Sequence, residues 1–220
     1  MELFKVIGRF FQDGGEFMYP IAIVLVAGLA IAIERFIYLS VVESRNKSLW
    51  REIAPLLSQG DFKQAVALAS RSGSAVGQIL NYGLARVQNA RRRDDIEKAM
   101  EESLMEILPR LEKRTHYLAT FANLATLLGL LGTVIGLIAA FGAVATVNPA
   151  EKANLLSASI SVAMNCTAFG LMTAVPLLVI HAFLQTKTTE LVDSLEMASV
   201  KFLNSITERR FDPAAPGAQA

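Results

Sequence analysis

Several kinds of chemistry are missing from this chain. It has one cysteine, Cys166, so neither a disulfide framework nor a cysteine-ligated metal site can form within it. Its two histidines, His116 and His181, stand alone, without the spacing a metal site needs. There is no glycine-rich phosphate loop and no grouping of acid, base and nucleophile, which argues against an enzyme and against any bound cofactor. The net charge is +1, from 21 Lys and Arg against 20 Asp and Glu, so no basic surface points to nucleic acid. The Arg91-Arg92-Arg93 triplet is followed at once by Asp94 and Asp95 and reads as a solvated helix junction.

The most telling absence is local. Phe17–Ile33 is 17 residues without a charge, Leu118–Val147 is 30, and Leu155–Leu184 is another 30 in which only His181 is ionisable. About 20 apolar residues span a bilayer. With 53% hydrophobic residues and a mean hydropathy of +0.41, the chain reads as an all-α membrane protein with three transmembrane helices. The first apolar run is too long for the core of a signal peptide, and no small-residue cleavage site follows it.

The expected organisation follows from where the charges are. Residues 1–16 carry Leu3, Phe4, Ile7, Phe10 and Phe11 opposite Lys5 and Arg9, the pattern of an amphipathic interfacial helix. The first spanning helix covers 19–42, with the boundary charges Glu34 and Arg35 towards its end. A helical domain occupies 43–116; within it, Gly60-Asp61 followed by Gln64 marks a helix start with Asp61 as cap. The second span is 118–147, a link 148–154 follows, the third span is 155–184, a polar helix runs over 185–210, and the tail 211–220 is disordered by composition. Fourteen Lys and Arg lie between Arg35 and Arg114, against one in the link and two in the N-terminal segment. The positive-inside rule therefore places the 43–116 domain and the C-terminus in the cytoplasm, with the N-terminus and the link outside.

Both later spans carry polar groups that suit an ion path. Thr126 and Thr133 are seven residues apart and share a face; they either line a pore or bond the carbonyls of their own helix. Beside them Ala125, Gly129, Gly132 and Gly136 form a small-residue stripe for close helix packing. In the third span Ser157, Ser161 and Asn165 repeat every four residues. A buried amide at that depth either serves an ion or water or joins helices. Pro176 interrupts the third helix's hydrogen-bond ladder. Neither span holds a membrane-embedded Asp, Glu, Lys or Arg, so a proton-conducting site needs its carboxylate from a second protein.

At these residues a family resemblance appears. LATLLGLLGTVIGLIAAF (124–141) and TAFGLMTAVP (167–176) resemble the paired helix motifs of the MotA/TolQ/ExbB proton-channel family. The Glu34-Arg35 pair and the order of three spans around a large insertion match as well. The likeness is to the ExbB/TolQ branch, since MotA-type stators have four spans. The resemblance implies a homopentameric ring with cytoplasmic helical extensions in the bacterial inner membrane. It implies a pair of single-span ExbD/TolR-like partners bearing a membrane aspartate, and work passed on to TonB-like or Tol-Pal proteins. Motility and export motors belong to the same family, and a non-conducting scaffold is the reading from a different class. Thr133 and Thr167 match the motif threonines expected to face the lumen, and Gly170 and Pro176 fall within the second motif. One departure stands out: where ExbB and TolQ carry a glutamate five residues before the motif threonine, this chain has Val162. Hydroxyls and amides also suit sodium, so the resemblance leaves proton and sodium both open.

Overall fold

The computed structural model describes residue 11 and residues 14–87 and 92–210. Most of the expected interfacial helix over 1–16 and the whole tail 211–220 lie outside the described residues. Within them the elements are six α-helices: α1 (Met18–Gln59), α2 (Phe62–Arg71), α3 (Ala75–Val87), α4 (Arg93–Glu112), α5 (Thr115–Thr146) and α6 (Pro149–Arg210). Among the described residues three segments are long and apolar enough to cross a membrane: Met18–Gln59, Arg93–Ala145 (α4 and α5 taken together) and Pro149–Ile206. The described residues are all-α, with three candidate membrane spans.

The chain divides into two compact units. One comprises Met1–Arg35 and Arg114–Leu184, the other Phe36–Lys113 and Gln185–Ala220. The first is apolar. Met18, Ile21 and Val24 of α1 pack with Ala125 of α5 and with Cys166 and Phe169 of α6. Phe11 meets Phe169 edge to face with ring centroids 5.1 Å apart.

In the second unit polar side chains set the helix ends and apolar ones fill the middle. Asp61 accepts a 3.1 Å hydrogen bond from the Gln64 amide, capping α2, and Gly60 takes the left-handed backbone (φ 82°) that lets the chain turn there. Ser74 accepts from the Gly77 amide at 3.1 Å, and the buried Asn46 accepts from the Val76 amide at 3.3 Å, so two side chains serve the first turn of α3. Asp94 and Asp95 stand in the first turn of α4, where the helix dipole favours them. The interior is built from Leu49, Ile53, Ile79, Leu80, Ile96, Leu195 and Phe202. At Gly83 an added carbon would come within 3.0 Å of both Met100 and Phe202, so α3 seats directly on α4 and α6.

One boundary differs from expectation. The link expected over 148–154 shrinks to Val147 and Asn148, because α6 begins at Pro149. Asn-Pro reads as a turn in the sequence, yet proline's fixed φ also suits a helix's first position. The Glu151 amide closes that first turn onto the Asn148 carbonyl at 3.0 Å. Residues 149–154 are therefore helical.

Candidate ion-path seam between α5 and α6

The two uncharged helices of the first unit approach so closely that backbone meets backbone. A carbon added at Gly170 would lie 2.7 Å from the Ala125 carbonyl oxygen and 3.1 Å from the Gly129 Cα. One added at Gly129 would lie 3.2 Å from both the Cys166 carbonyl oxygen and the Thr167 Cα. Gly132 faces the Cys166 side chain, and a carbon at Gly136 would lie 3.0 Å from the Ala163 Cβ. These pairs rise along α5 as they descend along α6, which makes the helices antiparallel with a fixed register. The stripe read from α5 is thus matched by Ala163, Cys166, Thr167 and Gly170 on α6. Small residues on both sides are what permits this distance.

The register sets Thr167 against Gly129 and puts Thr133, next to the Gly132 that faces Cys166, one turn further along α5. Thr126, seven residues earlier, lies about 10 Å along the axis. Each hydroxyl has a defined donor role. Thr167 donates across the seam to the Gly129 carbonyl at 2.8 Å. Thr133 donates to the Leu130 carbonyl at 2.6 Å, and Thr126 to the Ala122 carbonyl at 3.1 Å. A hydroxyl has one proton to give and two lone pairs. With their protons directed to carbonyls, all three threonines present acceptors only. Thr133, Asn165 and Thr167 are half-buried in the single chain, whereas Thr126, Ser161 and Val162 are exposed.

The MotA/TolQ/ExbB proton channel family matches residues 71–197, more than half of the chain. The chain belongs to this family. It is 30% identical over 132 residues to the biopolymer transport protein ExbB of Aquifex aeolicus, covering 59% of this chain and 76% of that protein. It is 25% identical over 199 residues to an ExbB homolog of Methanothermobacter thermautotrophicus, covering 90% of this chain and 69% of that protein. In fold it is similar to the structure of C. jejuni MotAB, with a TM-score of 0.60 and 17% identity over 90% of this chain and 80% of that one.

As a member of a channel family, the chain has in its apolar unit one polar feature that sequence reasoning did not single out and one that it read only as a membrane-boundary charge. Thr173 is fully buried, and its hydroxyl has no hydrogen-bond partner among the described residues. Its signal lies in spacing, three residues beyond Gly170 and so on the same face of α6. Arg35, expected as a boundary charge, is buried at 3% exposure. Its neighbour Glu34 pairs with Arg114 at 3.4 Å, both side chains about half exposed. Arg114 holds the left-handed backbone (φ 67°) between α4 and α5. Pro176 sits within α6, which continues unbroken past it. Among the described residues no group of His, Cys, Asp or Glu is placed to hold a metal ion.

Proposed function

We propose that this protein is the channel-forming subunit of a proton-driven motor of ExbB/TolQ type. In this reading five copies form a ring in the bacterial cytoplasmic membrane around single-span, ExbD/TolR-like partners. The N-terminus lies outside, and the 43–116 domain and the C-terminus lie inside. Proton flow turns ring against partner, and the work passes to TonB-like or Tol-Pal proteins.

The observation that carries the reading is the α5/α6 seam. It brings Thr133 and Thr167 within about one helical turn of each other, with their protons already donated to carbonyls, in helices that hold no carboxylate of their own over 118–147 and 155–184. Acceptor-only hydroxyls suit a protonated carboxylic acid, which is a donor, and stabilise it beside the ring. The acid itself has to arrive on the partner. Asn165 and Ser161 supply further polar surface on the approach, and Thr126 does so about 10 Å away.

The test is proton flux into liposomes holding the complex with its Asp-bearing partner. Thr133→Ala and Thr167→Val should each abolish flux while the protein still inserts and assembles. Full flux in both variants would overturn the assignment.

A further inference from the structure

Within the second unit, α4 and the C-terminal part of α6 leave a groove of about 320 Å³. Its floor is apolar: Met100 is buried beneath it, Leu104 is half-buried, and Val200 is 52% exposed. Its rim is acidic, with Glu97 and Glu101 on α4 facing Glu196 on α6 and no basic residue lining it. Among the described residues no ion pair reaches any of these three carboxylates. Glu97 and Glu101 are moreover four residues apart on one helix face, a spacing at which like charges repel. An exposed Val200 over an apolar floor, ringed by unneutralised carboxylates, is complementary to a segment with the opposite charge and an apolar stripe.

We infer that this groove is a docking site for a basic amphipathic segment of a protein partner, its apolar side chains on Met100, Leu104 and Val200 and its Lys or Arg against Glu97, Glu101 and Glu196. The groove stands on the structure alone; the source of the segment rests on the orientation proposed above. In that orientation the groove faces the cytoplasm, where segments flanking membrane spans are enriched in Lys and Arg. Affinity comes from the apolar floor, while the carboxylates set selectivity and association rate.

The experiment uses the full chain in zwitterionic lipid nanodiscs, with Met105→Cys, exposed on α4 beside the groove but outside its lining, carrying an environment-sensitive fluorophore. The probe is an amphipathic Lys/Leu peptide of about 14 residues, or four helical turns. A scrambled Lys/Leu peptide and a Glu/Leu peptide serve as comparisons. Saturable binding of the amphipathic Lys/Leu peptide alone is expected, weakening with added salt. Replacing Glu97, Glu101 and Glu196 together by Gln should raise its Kd by about tenfold, three exposed pairs' worth. The same change at Glu52, Glu112 and Glu190 should leave it unaltered. Equal binding by the Glu/Leu peptide, or an unchanged Kd in the first triple variant, overturns the proposal. So does a separate Val200→Cys variant whose thiol resists labelling in the assembled protein, since a second copy then covers the groove. Flux through the Thr133 and Thr167 variants is read separately, so failure of the motor reading cannot be mistaken for failure of the groove.

Discussion

At Gly170 the nearest obstacles to a side chain are the Ala125 carbonyl oxygen and the Gly129 Cα, backbone atoms that no rotamer change can move aside. Gly170→Val should therefore push α5 and α6 apart at a cost of about 1–3 kcal/mol, seen as a lower unfolding temperature in detergent. Gly142→Ala is the matched comparison, because nothing lies within 4 Å of the carbon it adds, and it should leave that temperature nearly unchanged. Thr167→Val should remove an interhelical hydrogen bond worth about 0.6 kcal/mol in a membrane bundle, and Thr167→Ser should restore it. Flux would fall much further than stability if the hydroxyl serves the ion. The glycine stripe of α5 was legible in the sequence because its spacing is local. Thr167's acceptor was not, since the bond joins residues 38 apart in the chain. For Thr126 and Thr133 both sequence readings are compatible with what is seen: the hydroxyls bond their own helix and still offer lone pairs.

Helix ends were easier to anticipate than helix contacts, and Asp61 shows why. Its cap bond to Gln64 spans three residues and is written in the spacing alone. Asp61→Ala should cost about 0.5–2 kcal/mol, read from chemical unfolding of the full chain. The neighbouring case of Glu43 could not be foreseen, because its partners come from two helices. Lys47 is one turn along α1, while Lys187 on α6 reaches Glu43 at 3.4 Å, bonds Ser40 at 2.9 Å and lies 5.1 Å over the Phe36 ring. The Lys47 hydrogen bond holds the Glu43 carboxyl below its ordinary range, helped by the bond from Lys187 and opposed by desolvation. A lowered folded-state pKa contributes stability above the unfolded carboxylate range, near pH 4.3, that is lost as pH falls through the folded value. Glu43→Gln should accordingly flatten the acid limb of a melting-temperature profile below about pH 4.3 and leave its slope at neutral pH unaltered.

For the molecule as a whole, three spans could be read from charge segregation, because hydrocarbon excludes ionised groups and leaves charge-free runs as its trace. What that signal could not resolve was where a span ends and its extension begins. The α1 and α6 helices run on through polar sequence with no break. In the single chain Leu127, Ile138 and Phe141 of α5 are each more than 60% exposed, as are Met164 and Met172 of α6, so lipid or further copies must cover them. Purified and reconstituted alone, the chain should give no proton flux above empty liposomes, measured with an enclosed pH-sensitive dye. Adding a partner with one membrane aspartate should restore it, and adding the same partner with Asn there should not. The interlocked pairs Gly129–Gly170, Gly132–Cys166 and Gly136–Ala163 also bear on how this chain can change in length. One residue inserted between Gly129 and Gly136 of α5, or between Ala163 and Gly170 of α6, turns what lies beyond it by about 100° and takes the later pairs of the seam out of register with the earlier ones. The same residue added at Val147-Asn148 is absorbed by the turn. Insertions and deletions in descendants of this sequence should collect at that turn and be purged from the helices on either side of it.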